Sequence, residues 1–157
     1  MAILKTNIHE EITLHGNTHH YVTEKEISEI TEIYHRITTI PAGVDTTIFS
    51  LHNTITTGDD GTIDLDEVKY MRITNLHSSV SVILNLQVES GEADGAADGN
   101  VAIALEAGKS FMLHQPHDGI ATVDDSLTAI TDLKDLESIV VDSSSTAVTI
   151  EILMGIS

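Results

Sequence analysis

The sequence has no cysteine and no tryptophan among its 157 residues. Without cysteine, the fold must rest on packing alone, and cysteine usage says nothing about the redox state of the compartment. The opening segment MAILKTNIHEEI is too polar for a signal peptide. No window approaches the roughly 18 apolar residues that a membrane-spanning helix needs. We therefore expect a soluble protein that is long enough for one domain with its own core.

Positive charge is also scarce, since seven Lys and Arg residues stand against 25 Asp and Glu and the formal net charge is -18. The electric field of so acidic a protein repels polyanions, so we do not expect direct binding to nucleic acid. An anionic membrane surface is disfavoured for the same reason. The composition favours an acidic protein that docks on a less acidic partner.

Aromatic residues are few, whereas Ile, Thr and Val supply about a third of the chain, a composition that favours strands over helices. Several short strands with polar turns, no linker and no repeat indicate one β-rich domain. We predict an all-β fold, an antiparallel β-sandwich that is jelly-roll-like. Residues 1–30 are predicted as an extended N-terminal arm or edge segment, and residues 31–157 as the sandwich domain.

Period-2 runs around short polar breaks predict three β-hairpins. In VKYMRITNL, Tyr70 and Arg72 alternate with Met71 and Ile73, so the two pairs face opposite sides of a strand. In the break EAGK, Gly108 is placed for a positive φ. The predicted pairs are 68–76 with 80–88, 101–105 with 110–114, and 136–142 with 147–154.

Other segments are less periodic. Pro41 and Gly43 are expected to turn the chain between two strand pieces. Residues 91–100 are rich in Gly, Ala and Asp and are predicted to form a mobile surface loop. Residues 124–136 are predicted as a loop rather than a helical turn, whereas the isoleucine spacing in 25–35 fits either a helix or a strand.

The segment HQPHD carries three possible metal ligands, His114, His117 and Asp118. Two histidines and a carboxylate suit zinc or non-haem iron. However, Pro116 turns the backbone, and a His-x-x-His spacing need not place both rings on one face, unlike the His-x-His of cupin jelly rolls. We predict a loop after a strand rather than a metal site.

The segment HGNTHH places His15, His19 and His20 within six residues. They could hold a metal, or stack around the symmetry axis of an oligomer. A polar turn between extended segments is the favoured interpretation, so no metal is predicted here.

The segment TTGDDGTIDLDE resembles the latter half of a calcium-binding loop, with Asp60, Asp64 and Glu67 at ligand positions. Thr56 and Gly58 stand where carboxylates are needed, and the flanks are strand-like rather than helical. A solvated turn is therefore predicted.

No catalytic constellation is visible in the sequence. It has no Gly-x-Ser-x-Gly elbow and no phosphate-cradling glycine loop. The pairs Glu10–Glu11 and Asp124–Asp125 are adjacent, so in an extended segment their side chains point to opposite faces and cannot work as an acid/base pair. We predict a protein that is not an enzyme, with no catalytic, cofactor-binding or metal-binding residues.

Four segments in one order carry a resemblance to a known class of proteins. They are YHRITTIPAGVDTTIFSL (34–51), VKYMRITNLHSSVSVILNLQV (68–88), LEAGKSFML (105–113) and DLESIVVDSSSTAVTIEILM (135–154). This order resembles small β-sandwich virion proteins of tailed bacteriophages, in which an RITN strand, an L-x-A-G-x-S-F hairpin and a terminal V-x-I-E strand recur.

The resemblance implies a structural role as a capsid decoration or cement protein of the virion, assembled in the host cytoplasm. Its implied partners are the major capsid protein or neighbouring virion proteins, and it implies a homo-oligomer, with a trimer favoured. A tail component or a receptor- or glycan-binding sandwich is the alternative, although a chain without Trp is poorly equipped to stack on sugars. The arm 1–30, punctuated by Ile3, Ile8, Ile12 and Leu14, suits a segment that becomes ordered on a neighbour.

Overall fold

A computed structural model describes residues 2–52, 63–64, 67–89, 97–114, 121–123 and 133–157. Within these ranges the regular structure is almost entirely strand, and no helix is long and apolar enough to cross a membrane. The strands are β1 (Ala2–Leu14), β2 (Asn17–Ile30), β3 (Glu32–Ile40), β4 (Thr46–His52), β5 (Ile63–Asp64), β6 (Val68–Asn75), β7 (Val82–Glu89), β8 (Ala97–Leu105), β9 (Ser110–His114), β10 (Ala121–Val123), β11 (Leu133–Asp142) and β12 (Val148–Ile156).

Two sheets packed face to face form the body of the molecule, as predicted. One has the order β3-β12-β6-β9, and the other has the order β5-β4-β11-β7-β8 with β10 paired to β11. The eight long strands after β2 are, in chain order, β3, β4, β6, β7, β8, β9, β11 and β12. Numbered 1 to 8 in that order, the first sheet holds strands 1, 8, 3 and 6, and the second sheet holds strands 2, 7, 4 and 5. Their pairings are all antiparallel. This is the jelly-roll arrangement of two interlocked Greek keys.

The three predicted hairpins are wrong in their pairing, although all six strands exist. β6 and β7 lie in different sheets, and the same holds for β8 and β9 and for β11 and β12. Each polar break therefore carries the chain across the sandwich instead of back along the same sheet. Period-2 alternation fixes which side chains point inward, but it does not choose the strand's hydrogen-bonding partner.

Inward-facing aliphatic side chains of both sheets form one continuous core. The central strand β12 shows the pattern most clearly: Val148, Ile150, Ile152 and Met154 are buried, while the residues between them are partly exposed. The predicted alternation in β6 is confirmed, since Met71 and Ile73 join this core. Burial of such side chains contributes about 1.5–3 kcal/mol each.

Asn75 is a buried polar residue that forms hydrogen bonds with both neighbouring connections between the two sheets, from β6 to β7 and from β8 to β9. Its amide nitrogen donates to the carbonyl oxygens of Val80 (2.8 Å) and Leu105 (3.2 Å), and its side-chain oxygen accepts from the backbone N–H of His77 at 3.0 Å. Its own carbonyl accepts from the N–H of Gly108 at 2.9 Å. One side chain thus satisfies backbone groups at the ends of two connections, which explains an Asn at a core-facing position.

Several smaller expectations are settled by the described residues. Gly43 and Gly108 have positive φ values, 66° and 70°, as their turns require. Residues 25–35 are strand apart from Thr31. The predicted surface loop is wrong for 97–100, which belong to β8, and the predicted loop at 124–136 is wrong from Leu133, where β11 begins. Residues 97–100 are held as strand by pairing with β7, whereas residues 133–135 pair with β10 and Leu136 pairs with β7. The rest of each segment lies outside the described residues.

Candidate functional site

The hairpin formed by β1 and β2 is the part of the fold that stands apart from both sheets. It is a two-stranded sheet of its own, paired from Ala2–Ile30 at the base to Leu14–Asn17 at the tip. The tip is a two-residue turn in which His15 and Gly16 both have positive φ, 52° and 82°. Two positive φ values are what a type I′ turn needs, and its twist matches that of the strands.

The base of the hairpin packs on the outer face of the sheet β3-β12-β6-β9. Ile27 and Ile30 are buried against Tyr70, and Leu4 and Leu153 complete this small cluster. Tyr70 points away from the sandwich core, on the face opposite to Met71 as the alternation predicted. It is nevertheless buried beneath the hairpin, with only 5% of its surface exposed.

Gly155 in β12 permits this close approach. A Cβ atom added there would lie 3.2 Å from Cδ1 of Ile30 and 3.3 Å from Cδ2 of Leu4. These separations are tighter than ordinary van der Waals contact, so the glycine lets the two layers meet.

Beyond its base, the hairpin is exposed on both faces. Residues paired across the strands share a face, so Ile8, Ile12, Leu14 and Tyr21 lie on the face that packs at the base. They are 42–60% exposed. We call these four residues the apolar row.

The opposite face of the hairpin is largely polar, although it also carries the exposed Val22. It carries an ion pair between Lys5 and Glu26 and a hydrogen bond of 2.9 Å between the hydroxyls of Thr13 and Thr18. Between these two pairs, the same face presents His9, Glu11 and His20.

A cleft of about 630 Å³ lies between the hairpin and the outer face of the sheet. Its lining is partly aliphatic and includes Ile8 from the hairpin and Met112 from β9, together with the cationic Lys25 and Arg72. His114, the last residue of β9, also lines it and meets the ring of Tyr70 edge-on, with centroids 6.2 Å apart.

Beside the cleft, Glu151 is held between two partners on neighbouring strands. Its carboxylate is 3.0 Å from Nε2 of His35 and accepts a hydrogen bond of 3.0 Å from Nη2 of Arg72. The hydrogen bond to His35 and the charge of Arg72 lower the pKa of Glu151, while its partial burial opposes them. The network joins three neighbouring strands of one sheet, β3, β12 and β6.

The structure separates the histidines of HGNTHH. His15 lies in the turn, while His19 pairs with Ile12 and His20 pairs with Glu11, so the last two point to opposite faces. The expected turn is confirmed for His15. Glu10 and Glu11 also point to opposite faces, as predicted from their adjacency.

The other candidate sites lie largely outside the described residues. This applies to His117 and Asp118 of HQPHD, to Asp60 of the calcium-like segment, and to the pair Asp124–Asp125. The described parts of these segments are His114, which is exposed, and the latter part of the calcium-like segment. There, Asp64 is the last residue of β5, and the backbone carbonyl of Glu67 accepts a hydrogen bond from the N–H of Ser157.

Sequence reasoning missed the grouping of His9 and Glu11 with His20. The signal was present, because a two-residue turn at His15–Gly16 fixes the register of the hairpin and places Glu11 opposite His20. His9 then follows on the same face, two residues away.

Comparisons with known proteins add little to the geometry. No family model matches the chain, and no curated protein matches it. A chain of the Bacillus endospore appendages, which form a family of disulfide-linked pili, is similar over 83% of this chain and 94% of its own length, with 11% sequence identity and a TM-score of 0.34. The fold assignment rests on the strand order of this chain itself.

Proposed function

We propose that this chain is a non-enzymatic structural protein of the virion of a tailed bacteriophage, a capsid decoration or cement protein. In this proposal the sandwich sits on the capsid surface, and the hairpin docks on a second copy of the chain within a cyclic trimer. The observation that carries the proposal is the apolar row, which is exposed along a hairpin that lies apart from both sheets.

The first support is energetic. An isolated two-stranded hairpin is marginally stable in water, and here most of its length is exposed on both faces. Because the side chains of the row are about half exposed, covering them would contribute roughly 1 kcal/mol each. A second surface over the row would stabilise both the hairpin and the assembly.

The second support is symmetry. Decoration of a capsid requires many equivalent contacts, and a closed cyclic contact through the hairpin repeats in this way.

The oligomer is tested by light scattering on the full chain. A variant with Ile8→Thr, Ile12→Thr and Leu14→Thr should keep its circular dichroism spectrum and become monomeric, because threonine preserves β-propensity while removing apolar area. The matched control is Val22→Thr, since Val22 is 62% exposed on the other face of the same hairpin. Trimers that survive in the triple variant, or are lost in the control, would refute docking through the row.

The virion role is tested separately by mass spectrometry and electron microscopy of purified particles. The chain should be present in many copies and lie in trimer-sized density on the head. Its absence from washed particles would overturn the proposal whatever the outcome of the light-scattering experiment.

A further inference from the structure

On the polar face of the hairpin, His9, Glu11 and His20 bring three metal-ligand groups together. One ligand atom from each residue lies within 4.8 Å of the other two. Nδ1 of His20 is 3.3 Å from Oε2 of Glu11, and the rings of His9 and His20 are stacked with centroids 5.9 Å apart. We propose that these residues form a binding site for a divalent transition metal of the Zn²⁺ class.

The hairpin ladder fixes the backbone positions of all three ligands. His9 and Glu11 are alternate residues of β1, and His20 is the direct partner of Glu11 on β2. Because the ligands come from one antiparallel pair, no distant part of the fold has to move to bring them together. All three side chains are exposed, so rotations about their side-chain bonds can close the remaining gap around an ion.

The distances suit zinc. Zn²⁺ binds imidazole nitrogen at about 2.0–2.1 Å and carboxylate oxygen at about 2.0–2.2 Å, so two ligands of a tetrahedral ion lie about 3.3–3.5 Å from each other. The separation of 3.3 Å between His20 and Glu11 already meets this requirement. Only His9 has to approach, and its ring is already stacked on that of His20.

The ligand set decides which metals fit. Two imidazoles and one carboxylate favour Zn²⁺, Ni²⁺ or Cu²⁺ over Ca²⁺ and Mg²⁺, which prefer oxygen ligands. The acidic field of the chain also draws cations towards its surface. Three protein ligands leave one position of a tetrahedral ion for water. The site thus departs from the metal-free expectation drawn from HGNTHH, because that expectation did not include His9 and Glu11.

The site would cross-link the hairpin halfway between its base and its tip. The ladder there is held by backbone hydrogen bonds without a buried face, so an ion joining β1 to β2 would lock the register of the strands. This consequence holds for a single chain and does not depend on docking of the apolar row or on the virion role.

The test is isothermal titration calorimetry of ZnCl₂ into the full chain after treatment with EDTA. We expect one saturable site per chain. Each ligand variant should weaken Zn²⁺ binding by about 100-fold or more: His9→Ala, Glu11→Ala and His20→Ala. Changes to residues that only support a ligand cost roughly 10–100-fold in metal affinity, and loss of a direct ligand should cost at least as much. Circular dichroism should show that these variants of exposed residues remain folded.

The matched control is His19→Ala, which removes a neighbouring histidine from the opposite face of the same strand. It should bind Zn²⁺ with unchanged affinity and stoichiometry. Zinc-induced shifts of imidazole nitrogens in NMR spectra should be confined to the rings of His9 and His20. Unchanged affinity in His20→Ala, or equal loss in His19→Ala, would overturn the site, as would the lack of saturable binding in the unmodified chain.

Discussion

Strands β12 and β1 are both extended and rich in isoleucine, yet they have opposite environments. Ile150 and Ile152 of β12 are completely buried between the two sheets, whereas Ile8 and Ile12 of β1 are 42% and 55% exposed. The difference arises from the number of layers: β12 has a second sheet opposite it, and the hairpin has a layer beneath it only at its base. The same residue type thus supports the fold in one strand and is left available for contact in the other.

The largest expected effect on stability comes from removing the same residue type, isoleucine, from each of the two strands. Ile152→Ala should lower the free energy of unfolding by about 2–5 kcal/mol, because it leaves a cavity in a close-packed core. Ile12→Ala should change it by no more than about 0.5 kcal/mol in the monomeric chain, as is usual for exposed sites. Urea unfolding followed by circular dichroism measures both, and similar losses would show that the hairpin is packed in solution.

The next effect concerns the polar part of the core. Asn75→Ala should cost about 3 kcal/mol, because the backbone groups of Val80, Leu105 and His77 lose their partner in a buried setting. For a domain of this size, that corresponds to a fall in Tm of roughly 6–12 °C.

The control for Asn75 is Asn85→Ala in β7. Asn85 is a strand asparagine that is partly buried rather than fully buried, and its side-chain oxygen has no hydrogen-bond partner within the described part of the chain. Its substitution should therefore shift Tm much less. An equal shift for both variants would show that the hydrogen bonds of Asn75 are not what holds the crossings.

The smallest effect is electrostatic and lies at the border between the sheet and the hairpin. The lowered pKa of Glu151 means that its carboxylate stabilises the fold at pH values above its ordinary pKa of 4.5, and that this contribution is lost as pH falls below it. Glu151→Gln should be less stable than the unmodified chain at pH 7, by less than about 1 kcal/mol, as is usual for ion pairs near the protein surface.

The check is a pair of urea melts at pH 7 and pH 3. The difference between Glu151→Gln and the unmodified chain should be smaller at the lower pH, because the carboxylate takes up protons as pH falls and loses its charge-dependent contacts. A difference that persists or grows in acid would contradict the assigned cause.

The sequence predicted the strands and the sandwich because alternation in segments such as VKYMRITNL directly reflects burial on one side. It could not predict the pairing. A short polar break allows either a return in the same sheet or a step of about 10 Å to the facing sheet, and the side chains beside the break are the same in both cases. The crossing after β6 depends on hydrogen bonds from Asn75 to Val80 and Leu105, and Leu105 is 30 residues away, beyond any local pattern.

The candidate site was predictable in part. The exposed isoleucines suggested an arm at 1–30, and the His15–Gly16 dipeptide carried enough information to set the hairpin register. The packing of Ile27 and Ile30 on Tyr70 was not predictable, because it depends on the outer face of a sheet whose strand order was unknown. The grouping of His9, Glu11 and His20 required the register first, so pairs read within one segment could not reveal it.

Hydrogen exchange with mass spectrometry, on the chain diluted until it is monomeric and on purified particles, tests the central claim most directly. We predict that amides of β12 exchange slowly in both samples, whereas amides of the outer hairpin, from residue 6 to residue 25, exchange quickly in the monomer and become protected on the particle. Equal protection of the hairpin in the two samples would contradict docking through the apolar row, and so would a hairpin that stays unprotected on particles carrying the protein.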